Sequence, residues 1–414
     1  MNLALINIKQ LLTVAARGMR VKVRDDMRDI GVIENGAVLV EDDTITWVGK
    51  MEDLGMGKLG DVDVVDCIDN VVMPGFVDAH THLVFAGSRE DEFAMRSAGA
   101  TYAEIAGKGG GILNTVRQVR AAAKKDLKKQ ARKHLNALLR HGTTTVEIKS
   151  GYGLTLNDEI KMLEVIGELK KEEVIGIVVT FLGAHAYPPE FADHKAEYVA
   201  EIIEKMIPYV ASHHLAEFCD VFCDKGFFEP EDAEKILTGG KQVGLQPKIH
   251  AEELSSSGGS SLAASLGAVS ADHLEHITPD GARELARAGV VAVLLPGVSF
   301  YLNHGYAPAR RLIDSGVPIA IATDFNPGSC MCYDMPSMMT IACTHLKMSP
   351  EEAITASTVN AAAAINRSHL IGSIEPGKKA DIVVLDIPNY KFLAYHFGES
   401  HVQKVIKEGV VLEF

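Results

Sequence analysis

The chain has 414 residues, 47% hydrophobic and 23% charged, a mixture too apolar for a disordered protein and long enough to bury a sizeable core. Its formal net charge of −14 is spread among interspersed acidic and basic residues, so no basic stripe exists to follow a phosphate backbone and nucleic acid is disfavoured as a partner. No run of about 18 uncharged apolar residues suggests a membrane span. The start "MNLALINIKQLL" lacks the basic opening and cleavage site of a secretory leader, which predicts a cytoplasmic protein.

Residues 1–70 read as short strands and turns. "GAVLVEDDTITWVGK" alternates apolar and polar residues around an Asp-Asp turn, the pattern of half-buried antiparallel strands. From residue 71 the pattern changes to apolar runs alternating with longer amphipathic segments, the mark of βα units around a parallel core. The runs are "MPGFVDAH", "TTTVEIK", "IVVTFLGAH", "VFCDKG", "PKIHAE", "ADHLEH", "VAVLLP" and "IAIATD". Their number predicts an α/β chain with a closed (β/α)8 barrel over residues 71–368. Between them, residues 119–141 read as a helix ended by Gly142, and Ser349-Pro350-Glu351-Glu352 opens another with an N-cap, a first-turn proline and a capping-box glutamate. Residues 369–414 return to strands punctuated by Gly and Pro, and predict a small composite β-sandwich domain shared with residues 1–70. The six cysteines, Cys67, Cys219, Cys223, Cys330, Cys332 and Cys343, are too scattered for a disulfide framework and are expected to be reduced thiols.

The chemistry begins in "VVMPGFVDAHTHLVFAGSRE", residues 71–90, where His80 and His82 follow an apolar strand. Side chains two apart on a strand share a face, so both imidazoles can meet one cation. Alone, His-x-His is weak. It gains weight because His185, His250, His273, His276 and Asp324 also stand at the ends of strand candidates, and in a parallel barrel those ends open onto one face. A buried Asp324 without a counter-charge is costly, and a bound metal compensates it. The run Gly109-Gly110-Gly111 lacks the Lys-Ser/Thr of a phosphate loop and reads as a mobile loop beside the pocket.

"PGFVDAHTHLVFAG", "HAEE", "ADHLEH", "ATDFNPGS" and "GSIEPGKKADIVVLD" resemble the amidohydrolase superfamily of metal-dependent hydrolases. The cues "HTHLVFAGSRE", "GGGILNTV", "EIKSGYGL", "FLGAHAYPPE" and "DFNPGS" resemble those of its members that open a five-membered cyclic amide carrying a propionate tail in histidine degradation. The resemblance implies a homodimer with one metal ion per subunit, held by His80, His82, His250 and Asp324. Three imidazoles and a carboxylate suit zinc and equally iron. Binuclear relatives carry a bridging lysine at the end of the fourth strand; that position is assigned here to His185, which implies a single metal.

The resemblance also places Arg89 as a bidentate clamp on the substrate carboxylate, with Tyr152, His185, Glu253, Asn326, Gly328 and Ser329 as further substrate contacts. Asn326, Gly328 and Ser329 are expected to offer amide groups to a carboxylate. Glu253 and His273 are the expected acid/base groups for a metal-activated water, and His185 is expected to polarise the ring carbonyl. Glu252 would point elsewhere on an extended chain, and His276 is left as an orienting or structural residue. Cys330 and Cys332 stand close enough in sequence to Asp324 to affect the metal. Two other readings compete: a deaminase of an aminated ring, which needs the metal but no clamp such as Arg89, and a catalytically silent barrel, in which metal ligands would be lost.

Overall fold

The computed structural model describes residues 2–55, 60, 62–100, 104 and 109–413. The chain opens with β1 (Asn2–Leu12), β2 (Val32–Glu41), β3 (Thr44–Lys50), β4 (Asp63–Asp66) and β5 (Val71–Pro74). β2 and β3 form the hairpin expected from "GAVLVEDDTITWVGK", and the turn is made possible by Asp42 in the left-handed region (φ 53°). β1 is the hub, antiparallel to β2 and parallel to β4 and β5.

The barrel follows as β6 (Phe76–Asp78), β7 (Thr143–Lys149), β8 (Gly176–Ala184), β9 (Phe218–Cys223), β10 (Gln246–Ala251), β11 (Ser270–His273), β12 (Val291–Leu294) and β13 (Ile319–Ile321), hydrogen-bonded in that order. Each of the eight apolar runs supplies one strand. Their residues are buried almost without exception, as continuous apolar runs in a parallel sheet require. The ring closes just beyond the ends of β6 and β13, where Asp324 N donates to His80 O (3.0 Å) and His82 N donates to Phe325 O (3.0 Å). Asp78 fastens the same seam by accepting from Thr323 N and Oγ1. The seam therefore binds the His80/His82 segment to Asp324 by backbone hydrogen bonds.

β14 (Ile382–Leu385), β15 (Val402–Lys407) and β16 (Val410–Leu412) return to the first sheet, β14 pairing antiparallel with β5. Leu3, Leu5, Ile8, Leu11, Val38, Val40, Val72, Ile382, Val384 and Ile406 form its own apolar core. Residues 71–74 thus pair within the terminal sheet, and the barrel strand begins at Phe76. Gly75 makes the transition, since a Cβ there would overlap the Thr144 side chain.

The helix predicted over 119–141 is two helices, Ile112–Ala121 and Lys124–Arg140, with Ala122 and Ala123 extended between them. The break is a tertiary effect: Lys161 Nζ donates to the carbonyls of Val119, Arg120 and Ala122, which caps the first helix from outside. The second ends as expected, with Gly142 at φ 87°. The capping box of Ser349 and Glu352 is present in full. All six cysteines are free thiols. No described helix is long and apolar enough to cross a membrane.

Candidate active site

The C-terminal ends of the barrel strands open into a cavity of about 910 Å³. His82, Arg89, Tyr152, His185, His250, Glu253, His273, Asp324, Asn326, Gly328 and Ser329 all line it, so the sequence candidates converge. His80 lies fully buried just beneath.

His80 and His82 leave β6 on the same side. His80 Nε2 stands 3.4 Å from Asp324 Oδ1, His82 Nε2 is 3.5 Å from that same oxygen, and His250 Nε2 is 3.4 Å from His82 Nε2. His80 Nε2 and Asp324 Oδ1 are buried without hydrogen-bond partners. Orphaned donors and acceptors are costly, and a cation between them removes the cost. Four donors about 2.1 Å from one tetrahedral ion stand about 3.4 Å apart, so the spacing fits a zinc-sized ion. His80 also forms a donor triple with His250 and His273, which brings His273 within reach of the same ion. Burial pushes the Asp324 carboxyl up to about 7, against the pull of His250.

Backbone strain marks these strand ends. Glu252, His273, Leu274 and Asp324 all adopt positive φ. The left-handed turn at Glu252 (φ 56°), rather than strand alternation, separates the two glutamates. Glu252 accepts from Ser260 Oγ outside the cavity, and Glu253 turns inward with Oε2 3.5 Å from His273 Nε2. Burial, reinforced by Glu275, Asp324 and Asp224, holds the Glu253 carboxyl well above its ordinary range.

His185 follows β8, the third barrel strand, not the fourth, so the strand count behind the one-metal expectation was off by one. The fourth strand is β9, which supplies Asp220. His185 Nδ1 donates to Gly151 O (3.0 Å), and a side chain at Gly151 (φ 109°) would collide with the ring. Burial pushes its pKa down to about 3. A neutral imidazole tied through Nδ1–H presents an unprotonated Nε2, which accepts a hydrogen bond and does not polarise a carbonyl. The ring stacks on His82 (4.8 Å between centroids), with Tyr152 beside both.

The amides of Gly328 and Ser329 are already taken: both donate to Asn326 Oδ1 (2.7 and 2.9 Å), closing a tight Asx turn. Asn326 Nδ2 in turn donates to Asp324 O, and Ser329 Oγ donates to Asp324 Oδ2, so this loop steadies Asp324. Gly328 instead makes room for Arg89, whose Nη1 occupies the space a Cβ would fill.

The sequence reading missed Glu92, Arg96 and Tyr301. Glu92 Oε2 accepts from Arg89 Nε (2.8 Å) and Gly111 N, and its Oε1 accepts from Asn114. Arg96 donates to Gly328 O and lies over the Tyr301 ring. The Arg89/Glu92 spacing of three was the available signal. Gly109–Gly111 therefore run beside the cavity and lead into the Ile112 helix, while the preceding Gly107 and Lys108 lie outside the described residues. Cys330 packs against Gly297, Cys332 sits beside it in the same core cluster, and neither joins a ligand cluster among the described residues. His276 is exposed, outside the cavity lining.

Residues 63–215 and 236–412 each match a model described as "Amidohydrolase family". An imidazolonepropionase of Geobacillus kaustophilus is 49% identical over 407 residues, covering 98% of this chain and 96% of its own. The chain belongs to the imidazolonepropionase family. An imidazolonepropionase of Clostridium tetani is 46% identical, covering 99% of this chain and 98% of its own. Among solved structures, guanine deaminase of E. coli superposes with a TM-score of 0.76 over 100% of this chain and 99% of its own at 15% identity. A zinc-bound adenosine deaminase of Xanthomonas campestris gives 0.72 over 99% and 92% at 20% identity. At such identities the likeness concerns the barrel and its terminal sheet. Within the imidazolonepropionase family, His80, His82, His250 and Asp324 of this chain form a candidate metal site.

Proposed function

We infer that this protein opens the ring of 4-imidazolone-5-propanoate by hydrolysis to N-formimidoyl-L-glutamate, with one zinc or iron ion held by His80, His82, His250 and Asp324. One observation carries the reading: a four-donor cluster, of which His82, His250 and Asp324 line the cavity, shares that cavity with a guanidinium held by Glu92. A neutral ring would need the first and not the second. The high identity to imidazolonepropionases over nearly the full chain supports the same substrate.

When bound, such an ion supplies a water acidified towards neutrality and a Lewis acid for the ring carbonyl. The chain's own groups do the rest. Arg89, which lines the cavity and is fixed on its Nε edge by Glu92, offers its remaining guanidinium N–H groups to the propionate. His185 Nε2 accepts a ring N–H, and Tyr152 packs the ring from the side. The bond between the carbonyl carbon and a ring nitrogen breaks, and the water oxygen stays on the new carboxylate. The Glu253 carboxyl, raised above its ordinary range by burial, gives a proton to the departing nitrogen, and His273, 3.5 Å away, takes the proton that the attacking water loses and returns one to Glu253.

The test is purified protein with imidazolone propionate, following loss of ring absorbance alongside elemental analysis. The expected result is turnover with one zinc or iron per chain. An intact ring with metal-loaded protein overturns the reading.

A further inference from the structure

Below the four donors the barrel interior holds a contiguous cluster of fully buried charged side chains, Glu147 and Lys149 from β7, Asp220 from β9, Lys248 from β10 and Asp272 from β11. Three carboxylates face two ammonium groups, and burying such groups is tolerated only where each is paired. Lys248 Nζ meets Glu147 (2.8 Å) and the carbonyl of Ala79. Lys149 Nζ is the junction, 2.7 Å from Asp220 Oδ2, 3.1 Å from Glu147 and 3.4 Å from Asp272 Oδ2.

The two aspartate oxygens that meet Lys149 are the same two that meet metal-ligand histidines. Asp272 Oδ2 lies 2.6 Å from His80 Nδ1, and Asp220 Oδ2 lies 3.1 Å from His250 Nδ1. The other oxygen of each carboxylate is also occupied: Asp272 Oδ1 accepts from Ser270 Oγ, and Asp220 Oδ1 accepts from Val221 N. Neither carboxylate is free to turn. His80, hydrogen-bonded through Nδ1 to a fixed carboxylate, presents Nε2 as the lone-pair donor in one orientation, and the Asp220 carboxylate, in ion-pair contact with His250 Nδ1 without a hydrogen bond, favours the same tautomer there. His80 and His250 stand 170 residues apart in sequence and on different strands, yet their orienting carboxylates share one ammonium.

We propose that Lys149 is a positioning residue for the metal centre, setting the orientation of His80 through Asp272 and of His250 through Asp220 at once. Lys149 does not touch the ion. Its ammonium holds the two carboxylates together where they would otherwise repel, directly behind His80 and His250. Removing Lys149 thus loosens two ligands by one change.

This inference rests on reading His80 and His250 as ligands, and the experiment separates the two. Zinc affinity is measured by chelator competition for the full chain, for Lys149→Met and for His250→Ala. The dissociation constant is expected to rise about 10- to 100-fold in Lys149→Met, the range for orienting groups behind metal ligands. If His250→Ala binds zinc as the native chain does, the ligand reading itself fails. If His250→Ala loses zinc while folded Lys149→Met keeps its affinity within twofold, only the role of Lys149 fails. Should Lys149→Met not fold, Asp220→Asn serves, read by the downfield Nδ1–H proton resonances of the zinc-loaded protein. The shared ammonium requires that this change shift the His80 resonance as well as that of His250. A shift confined to His250 overturns the proposal.

Discussion

Gly328→Ala tests the carboxylate clamp without touching a charged group. A methyl at residue 328 would fall on Arg89 Nη1, far inside the roughly 3.5 Å at which such atoms come into contact. The guanidinium cannot simply slide away, because Glu92 holds Nε and Nη2 at 2.8 Å and is itself tied to Gly111 and Asn114. Either Arg89 breaks with Glu92 or it leaves the position from which it meets the propionate. A hydrogen bond to a charged group is worth about 1.5–3 kcal/mol, so KM for imidazolone propionate should rise roughly 10- to 150-fold. The donor cluster is bonded through Asn326 and Ser329 rather than through residue 328, so kcat should fall no more than a few-fold. Initial rates from ring absorbance over a wide substrate range separate the two constants. A KM within twofold of the native value, with Arg89→Ala also unchanged, would refute the clamp.

Other changes probe the remaining parts. His250→Ala should remove metal and activity together, seen as loss of stoichiometric zinc or iron on elemental analysis; full metal content in a folded variant contradicts the donor set. Burial, with Glu275, Asp324 and Asp224 nearby, raises the Glu253 carboxyl above its ordinary range, and a carboxyl so raised acts as an acid until the pH climbs through its titration. Activity should therefore fall on the alkaline side, and Glu253→Gln should lower kcat about 10²- to 10⁴-fold and abolish that alkaline limb. An unaltered pH profile assigns the limb to another group. Ser349→Ala removes the capping box at Pro350–Ala356 and should cost about 1 kcal/mol in the denaturant midpoint, with activity retained. Stripping the metal with a chelator should lower stability by about 2.7 kcal/mol relative to protein in free zinc at 100 times the dissociation constant. Identical unfolding curves would place the ion outside the fold.

Much of this molecule was written in local pattern. Eight apolar runs became eight parallel strands because burial on both faces demands unbroken apolar sequence, and the two ends of the chain read as strands because alternation marks a half-buried sheet. His80 and His82 could be paired by the two-residue repeat of a strand alone. What pattern could not supply was anything decided across space. His185 was assigned to the wrong strand because order in a barrel is counted from strands whose limits only pairing defines. Glu252 turned away through a left-handed residue rather than by alternation, and the amides of Gly328 and Ser329 closed on Asn326 instead of facing a ligand. The helix break at Ala122 depends on Lys161, some forty residues on.

The amino-acid order by itself determined the strands of the barrel and of the terminal sheet, since each follows from periodicity within a few residues, and the resemblance of its motifs supplied the candidate metal donors. The folded chain alone decided which groups stand behind those donors. Asp220, Asp272 and Lys149 come from three strands and carry no shared spacing; they meet because closing the barrel buries their charges together, where each must find a partner.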